Sequence, residues 1–144
     1  MANNYIDIVC NLYTPQVVDE DRMGIDDDFK QQVRMPEDMR GGVSMQDYIL
    51  KMDNAGIERS LLIAVRGGDL NVRGSFEVPY AYVRDVCQQY PDRFSGLAGV
   101  DPTRGMQGLR DLEVAVKEYG FVGAHWYPHW FSMPPDAAQI YPYY

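Results

Sequence analysis

The side chains of this sequence that could do acid–base or binding chemistry are few and well spaced. There are two histidines, His125 and His129, and two cysteines, Cys10 and Cys87. An imidazole titrates near neutral pH, so either histidine could serve as acid, base or metal ligand. His129 follows Pro128 in a loop, where functional side chains are commonly carried. His125 lies inside an apolar run and reads first as a core histidine bonded to backbone. Arg66 has a planar fork that could clamp a substrate carboxylate, although an ion pair with Asp69 or Asp101 is the preferred reading. Trp126, Tyr127, Trp130 and Phe131 offer stacking surface for an aromatic or unsaturated acid, and equally an apolar subunit contact, which is the preferred role. Cys10 sits among apolar neighbours without an activating base, and no Gly-x-Ser-x-Gly elbow is present, so covalent catalysis has no support.

These side chains need elements to hold them, and the apolar pattern supplies an alternating series. Tyr5 to Cys10 is short, rich in Ile and Val, and leads into Thr14-Pro15, as a buried first strand should. A long acidic loop or insertion follows at about 17–42, carrying Asp19-Glu20-Asp21 and Asp26-Asp27-Asp28. It predicts a solvated face with one short helix near Asp28 to Arg34. Ser44 and Asp47 have capping-box spacing, Gly56 ends that helix, and Met45, Tyr48, Ile49 and Met52 form one apolar stripe. Ser60 to Val65 predicts a second strand, and Val78 to Gln89 a helix that begins around Pro79 and stops before Pro91. Phe94 to Val100 predicts a third strand, Met106 to Tyr119 a third helix closed by Gly120, and Phe121 to Tyr127 a fourth strand. Pro134 to Tyr144 reads as the approach to a further helix that does not develop.

Strict alternation of strands and helices implies parallel βαβ units, an α/β class, and chemistry at the C-terminal ends of the strands. Arg66, Asp101 and His129 follow the second, third and fourth strands, and so are expected to share one rim as a catalytic group. The turn Asn11 to Pro15 lacks the glycines of a dinucleotide site, and there is no P-loop. With 144 residues, 46% hydrophobic and 24% charged, residues 1–144 read as one globular domain with a real core. A net charge of -8 without a Lys/Arg cluster argues against nucleic acid. No run of about eighteen apolar residues predicts a membrane span. Met1 to Tyr5 lacks the start of an export signal, which points to the cytoplasm. Two cysteines are too few for a disulfide scaffold.

Three stretches together resemble the amidohydrolase-related family of metal-dependent hydrolases and decarboxylases. They are Tyr5 to Asn11, Tyr90-Pro91-Asp92-Arg93-Phe94 through Gly99-Val100-Asp101-Pro102, and Gly120 to Trp130. The resemblance implies a (β/α)8 barrel, for which about 250 residues are typical. The chain then corresponds to an N-terminal half of about four strands, with a stop between structural units. It also implies two histidines, one residue apart, at the end of the first strand to bind a divalent metal, commonly zinc. Val9 and Asn11 stand at those positions. Val9 cannot coordinate, and Asn11 offers an amide oxygen that could instead contact substrate. His129 best matches a further family ligand. Since zinc sites need three or four protein ligands, no cofactor is expected unless subunits share ligands.

Two functions follow as expectations. One is a hydrolase or carbon–carbon lyase acting on a small aromatic or unsaturated carboxylic acid. Its catalytic groups would be His129, Arg66 and Asp101, with Asn11, Trp126 and Trp130 on the substrate, in a pocket completed by an even-numbered homo-oligomer. The other is a non-catalytic relic or fragment of the family that serves as a binding or structural module.

Overall fold

The computed structural model describes residues 5–71 and 74–144. Met1 to Asn4, the greater part of the stretch read for an export signal, lies outside the described residues. Within them, β1 (Tyr5–Asn11), β2 (Ile57–Ala64), β5 (Phe94–Gly99) and β6 (Gly123–His125) form one parallel sheet in the order β1-β2-β5-β6. The crossovers run through α3 (Met45–Ala55), α4 (Tyr80–Gln89) and α5 (Gly105–Lys117). This is the α/β order that the sequence pattern implies, in the half-barrel form that the family resemblance implies: four parallel strands curled under a helical layer.

The helix side of the sheet is closed. Ser60, Leu62 and Ala64 pair in register with Phe94, Gly96 and Ala98, and the Phe121 ring lies directly over Gly96. Leu62, Val83, Phe94 and Phe121 all belong to the buried core. Where β5 passes β2, a Cβ on Gly99 would lie 2.1 Å from the Ala64 carbonyl oxygen, so the strands can approach there only through glycine. The opposite situation holds on β1, where Tyr5, Ile6, Ile8 and Val9 are 54–65% exposed. Asp7 pairs with Ser60 and Cys10 with Leu62, so three steps on β1 face two on β2. This bulge is held by the Val9 amide donating to Asp7 Oδ1 at 3.1 Å.

The helices begin and end as their sequences require, with one difference. Ser44 Oγ caps α3 by accepting from the Asp47 amide, but the Asp47 carboxylate accepts a hydrogen bond from the Ser44 hydroxyl at 2.7 Å and does not reach back to the N-cap amide. Aspartate is one methylene shorter than the glutamate of a full capping box. Gly56, in the left-handed region at φ 71°, ends the helix.

Three segments depart from the sequence pattern. The fourth strand is shorter than Phe121 to Tyr127, because the Phe121 amide bonds to Ala115 and its ring turns into the core. A two-residue antiparallel ladder, β3 (Arg66–Gly67) with β4 (Phe76–Glu77), precedes α4 and is too short to leave a period. The acidic segment contains α1 (Pro15–Asp19), α2 (Asp27–Gln32) and a 3-10 turn at Glu37–Met39; its acidic side chains face solvent, but Val17 and Met23 are buried. At the C-terminus a single 3-10 turn, Tyr141–Tyr143, forms in place of a helix. Ile140 is buried, and the Tyr143 hydroxyl donates to the Asp101 and Gly105 carbonyls. Among the described residues no helix is long and apolar enough to cross a membrane.

Candidate functional site

The C-terminal end of β1 is fixed from the helix layer. Tyr48 of α3 donates its hydroxyl to the Asn11 carbonyl at 2.6 Å and accepts from the Tyr13 amide at 3.0 Å. Both backbone bonds set where the Asn11 side chain emerges, at the wall of a cavity of about 400 Å3 at the sheet's C-terminal end. The rest of that wall is apolar. Val65 follows β2, Tyr127 and Trp130 follow β6, Phe76 comes from β4, and Met23, Gly24, Ile25 and Phe29 come from the acidic segment. Phe76 and Trp130 meet edge to face with centroids 5.1 Å apart. The Phe76 ring occupies the place a side chain would fill at position 67, since a Cβ on Gly67 would lie 2.5 Å from it. The cavity has the size and apolar character of a small-molecule site, with one amide to orient what enters.

Arg66 and Asp101 lie elsewhere, in a polar cleft of about 400 Å3 shared with Asp69, Glu77, Thr103 and Arg104. Arg66 is ion-paired, but its partners are Glu77 at 3.6 Å and Asp111 at 3.3 Å, not Asp69 or Asp101. Glu77 is its cross-strand neighbour in the small ladder, and Asp111 projects from α5 to bind Arg104 as well, at 2.7 Å. The guanidinium also lies 4.4 Å from the Tyr80 ring centroid. The Tyr80 hydroxyl donates to the Gly99 carbonyl, and burial pushes its pKa up to about 12. Asp101 is buried, and its carboxylate accepts from the Thr103 amide at 2.9 Å and the Thr103 hydroxyl at 2.6 Å. It caps a 3-10 turn, Pro102–Arg104.

The two histidines lie beside the mouth and line neither cavity. His129 sits on the 3-10 turn Pro128–Phe131, with its ring 5.7 Å from Tyr127 and 6.0 Å from Trp130. Trp126 packs on Phe131 with centroids 6.5 Å apart. His125 meets Tyr127 edge to face at 4.5 Å. Its Nδ1 is buried with no hydrogen-bond partner among the described residues, so the side chain does not make the backbone bond expected of a core histidine. Burial holds its pKa below the usual imidazole value.

Of the six candidate residues, then, the structure brings Asn11 and Trp130 together at the mouth, sets Arg66 and Asp101 in the polar cleft, and leaves His129 and Trp126 at the rim. Sequence reasoning missed Met23, Ile25, Phe29 and Phe76. The available signal was apolar residues recurring inside an acidic stretch that had no use for them on a solvated face.

The donor set does not fit the metal that the family resemblance implies. Val9 has no donor atom, Asn11 is a lone amide on an apolar wall, and no group of three His, Cys, Asp or Glu side chains among the described residues could hold an ion. Both cysteines are free thiols. Burial first, then the Asp7 carboxylate, push Cys10 up to about 12, and burial pushes Cys87 up to about 11. Neither is a thiolate near neutral pH.

No family model and no curated protein matches the chain. Solved structures do. The chain is similar to the 5-carboxyvanillate decarboxylase LigW from Sphingomonas paucimobilis, with TM-score 0.68 and 18% identity over 97% of this chain and 47% of that one. An uncharacterized TIM-barrel protein from Bordetella bronchiseptica gives TM-score 0.63 and 20% identity over 96% and 50%. The 4-oxalomesaconate hydratase LigJ from Rhodopseudomonas palustris gives TM-score 0.56 and 26% identity over 95% and 47%. Other aromatic-acid decarboxylases similar to this chain were solved with manganese bound. The chain spans half or less of the length of these solved proteins. In its fold, this chain is a half-barrel similar to the matching part of these solved proteins, one of them a TIM barrel.

Proposed function

We propose that the mouth cavity takes a small aromatic or unsaturated carboxylic acid, held with its ring against Trp130, Phe76 and Tyr127 and oriented by the Asn11 amide. The observation that carries this reading is the position of the cavity: it lies at the C-terminal ends of the strands, where barrels of this kind place their ligands. The similar solved structures include decarboxylases of hydroxylated benzoates and a hydratase, which favours lyase chemistry, carbon–carbon cleavage first, over hydrolysis as the activity of the assembled protein. Such chemistry needs groups beyond those of one copy of the described half-barrel. Arg66 and Asp101 are committed to ion pairing and capping, and His129 stands outside the cavity. The catalytic reading therefore requires a pocket completed by self-association or by further chain.

The second reading, a non-catalytic binding module, is favoured by Val9 and Asn11 standing where the family's metal histidines would be. One experiment separates the two. Calorimetric titration with a hydroxylated benzoate should show saturable binding. The same mixture, supplied with manganese or zinc, should then be followed for loss of the carboxylate. Binding with turnover supports the enzyme, binding without turnover supports the module, and no binding overturns the assignment of the cavity.

A further inference from the structure

Among the described residues the sheet has two unpaired edges, at opposite ends of one parallel arc: β1 on one side and β6 on the other. Four parallel strands are half of the eight that close a (β/α) barrel. Half a turn of this arc about the barrel axis leaves every strand pointing the same way. It sets β1 of one copy beside β6 of another and, across the barrel, β6 beside β1. We infer that a second copy of this chain is the occupant of both edges, so that two half-barrels close one barrel around their mouths. This deepens the proposed function in one respect, since the mouth cavity is incomplete without the second copy; the seams themselves stand on the edges of the sheet.

Three observations support a covering partner, and the matching of the two edges identifies it. Tyr5, Ile6, Ile8 and Val9 are exposed nearly in succession on an edge strand with no lysine, arginine or proline to discourage pairing. Exposed apolar residues on the helices, such as Leu50 and Met106, are scattered singly, as on ordinary surfaces. The chain exposes 8690 Å2, against about 7,500 Å2 for a compact monomer of 16.5 kDa by the usual scaling. The excess of roughly 1,100 Å2 is comparable to the ~800 Å2 that each partner contributes to a standard interface. At the other edge, Val122 just before β6 is 63% exposed and Ala124 on β6 is exposed as well. Each seam would bring the end of β1, with Asn11, beside the end of β6 in the second copy, the strand that leads to Tyr127 and Trp130.

Sedimentation velocity of the full chain over a wide concentration range tests this. The expected result is a species of twice the 16.5 kDa chain mass. Ile8→Lys on one edge and Val122→Lys beside the other should each return it to monomer with an unchanged far-UV spectrum, since both side chains are exposed and support no core. Leu50→Lys, equally exposed on α3, should leave the dimer intact. A monomer at every concentration overturns the inference, as does a dimer that survives both edge variants or is lost only with Leu50→Lys. In the Ile8→Lys monomer, binding of a hydroxylated benzoate should fall at least tenfold; unchanged binding would show that one copy makes a complete mouth. If neither dimer nor monomer binds the benzoate, the reading of the cavity fails while the seams stand.

Discussion

On its helix side the sheet buries Leu62, Ala64, Phe94 and Ala98 to 2% exposure or less, while at the β1 edge Tyr5, Ile6, Ile8 and Val9 stay more than half exposed. Both sets are apolar side chains carried on strands of one sheet. The difference lies in what covers them. Phe94 and Leu62 lie under α4 and α5, whereas β1 has a neighbour on one side only. Strand propensity therefore reports where a strand forms and not how many of its sides are filled.

Truncating each side should separate them sharply. Phe94→Ala removes a fully buried ring and should cost about 3–5 kcal/mol in urea unfolding. Ile8→Ser, measured where the chain is monomeric, should stay within about 0.5 kcal/mol of the parent. Comparable losses at both positions would mean that β1 is covered within one copy.

A second contrast lies between the two cavities. The mouth is apolar with one amide; the other cleft is built of interlocked charges. Arg66→Ala should cost about 2 kcal/mol, because it leaves Glu77 unpaired and Asp111 with Arg104 alone. Urea unfolding would read that loss, and calorimetry should find binding of a hydroxylated benzoate unchanged. Weakened binding would place Arg66 on the ligand and join the two cavities into one site.

The smallest expected effect is at His125, beside the mouth. Burial lowers its pKa from 6.5, so the unfolded chain takes up the proton more readily than the native one. Its contribution to stability is complete above the unfolded value and is lost as pH falls below it. Thermal melts between neutral and mildly acidic pH should show a smaller acid-side decline for His125→Phe than for the parent. An unchanged decline would show that the buried imidazole does not resist protonation.

The alternating α/β order was legible because its strands are short apolar runs and its helices carry clear stop signals, such as Gly56 after α3 and Pro91 after α4, whereas the half-barrel followed only from the family resemblance. The β3/β4 ladder was not, since two residues per strand leave no alternation to read. At the mouth, Asn11 was singled out through the family resemblance and Trp130 through aromatic clustering. Phe29 and Met23 were hidden because their acidic neighbours dominate the local pattern, and only tertiary folding turns their side chains toward the mouth. Arg66 and Asp101 were expected on the same rim as His129. They follow adjacent strands, but Arg66 is drawn into the charged cleft by Glu77 and by Asp111, 45 residues away, a pairing that leaves no local trace. Asp101 turns back onto Thr103, two residues on.

The most direct test of the mouth as the functional site is titration of the parent and of Trp130→Ala with a hydroxylated benzoate, read by calorimetry. Losing the stacking face should weaken binding about tenfold or more, equivalent to at least ~1.4 kcal/mol. Equal affinity in the two proteins would contradict the assignment of the cavity as the ligand site.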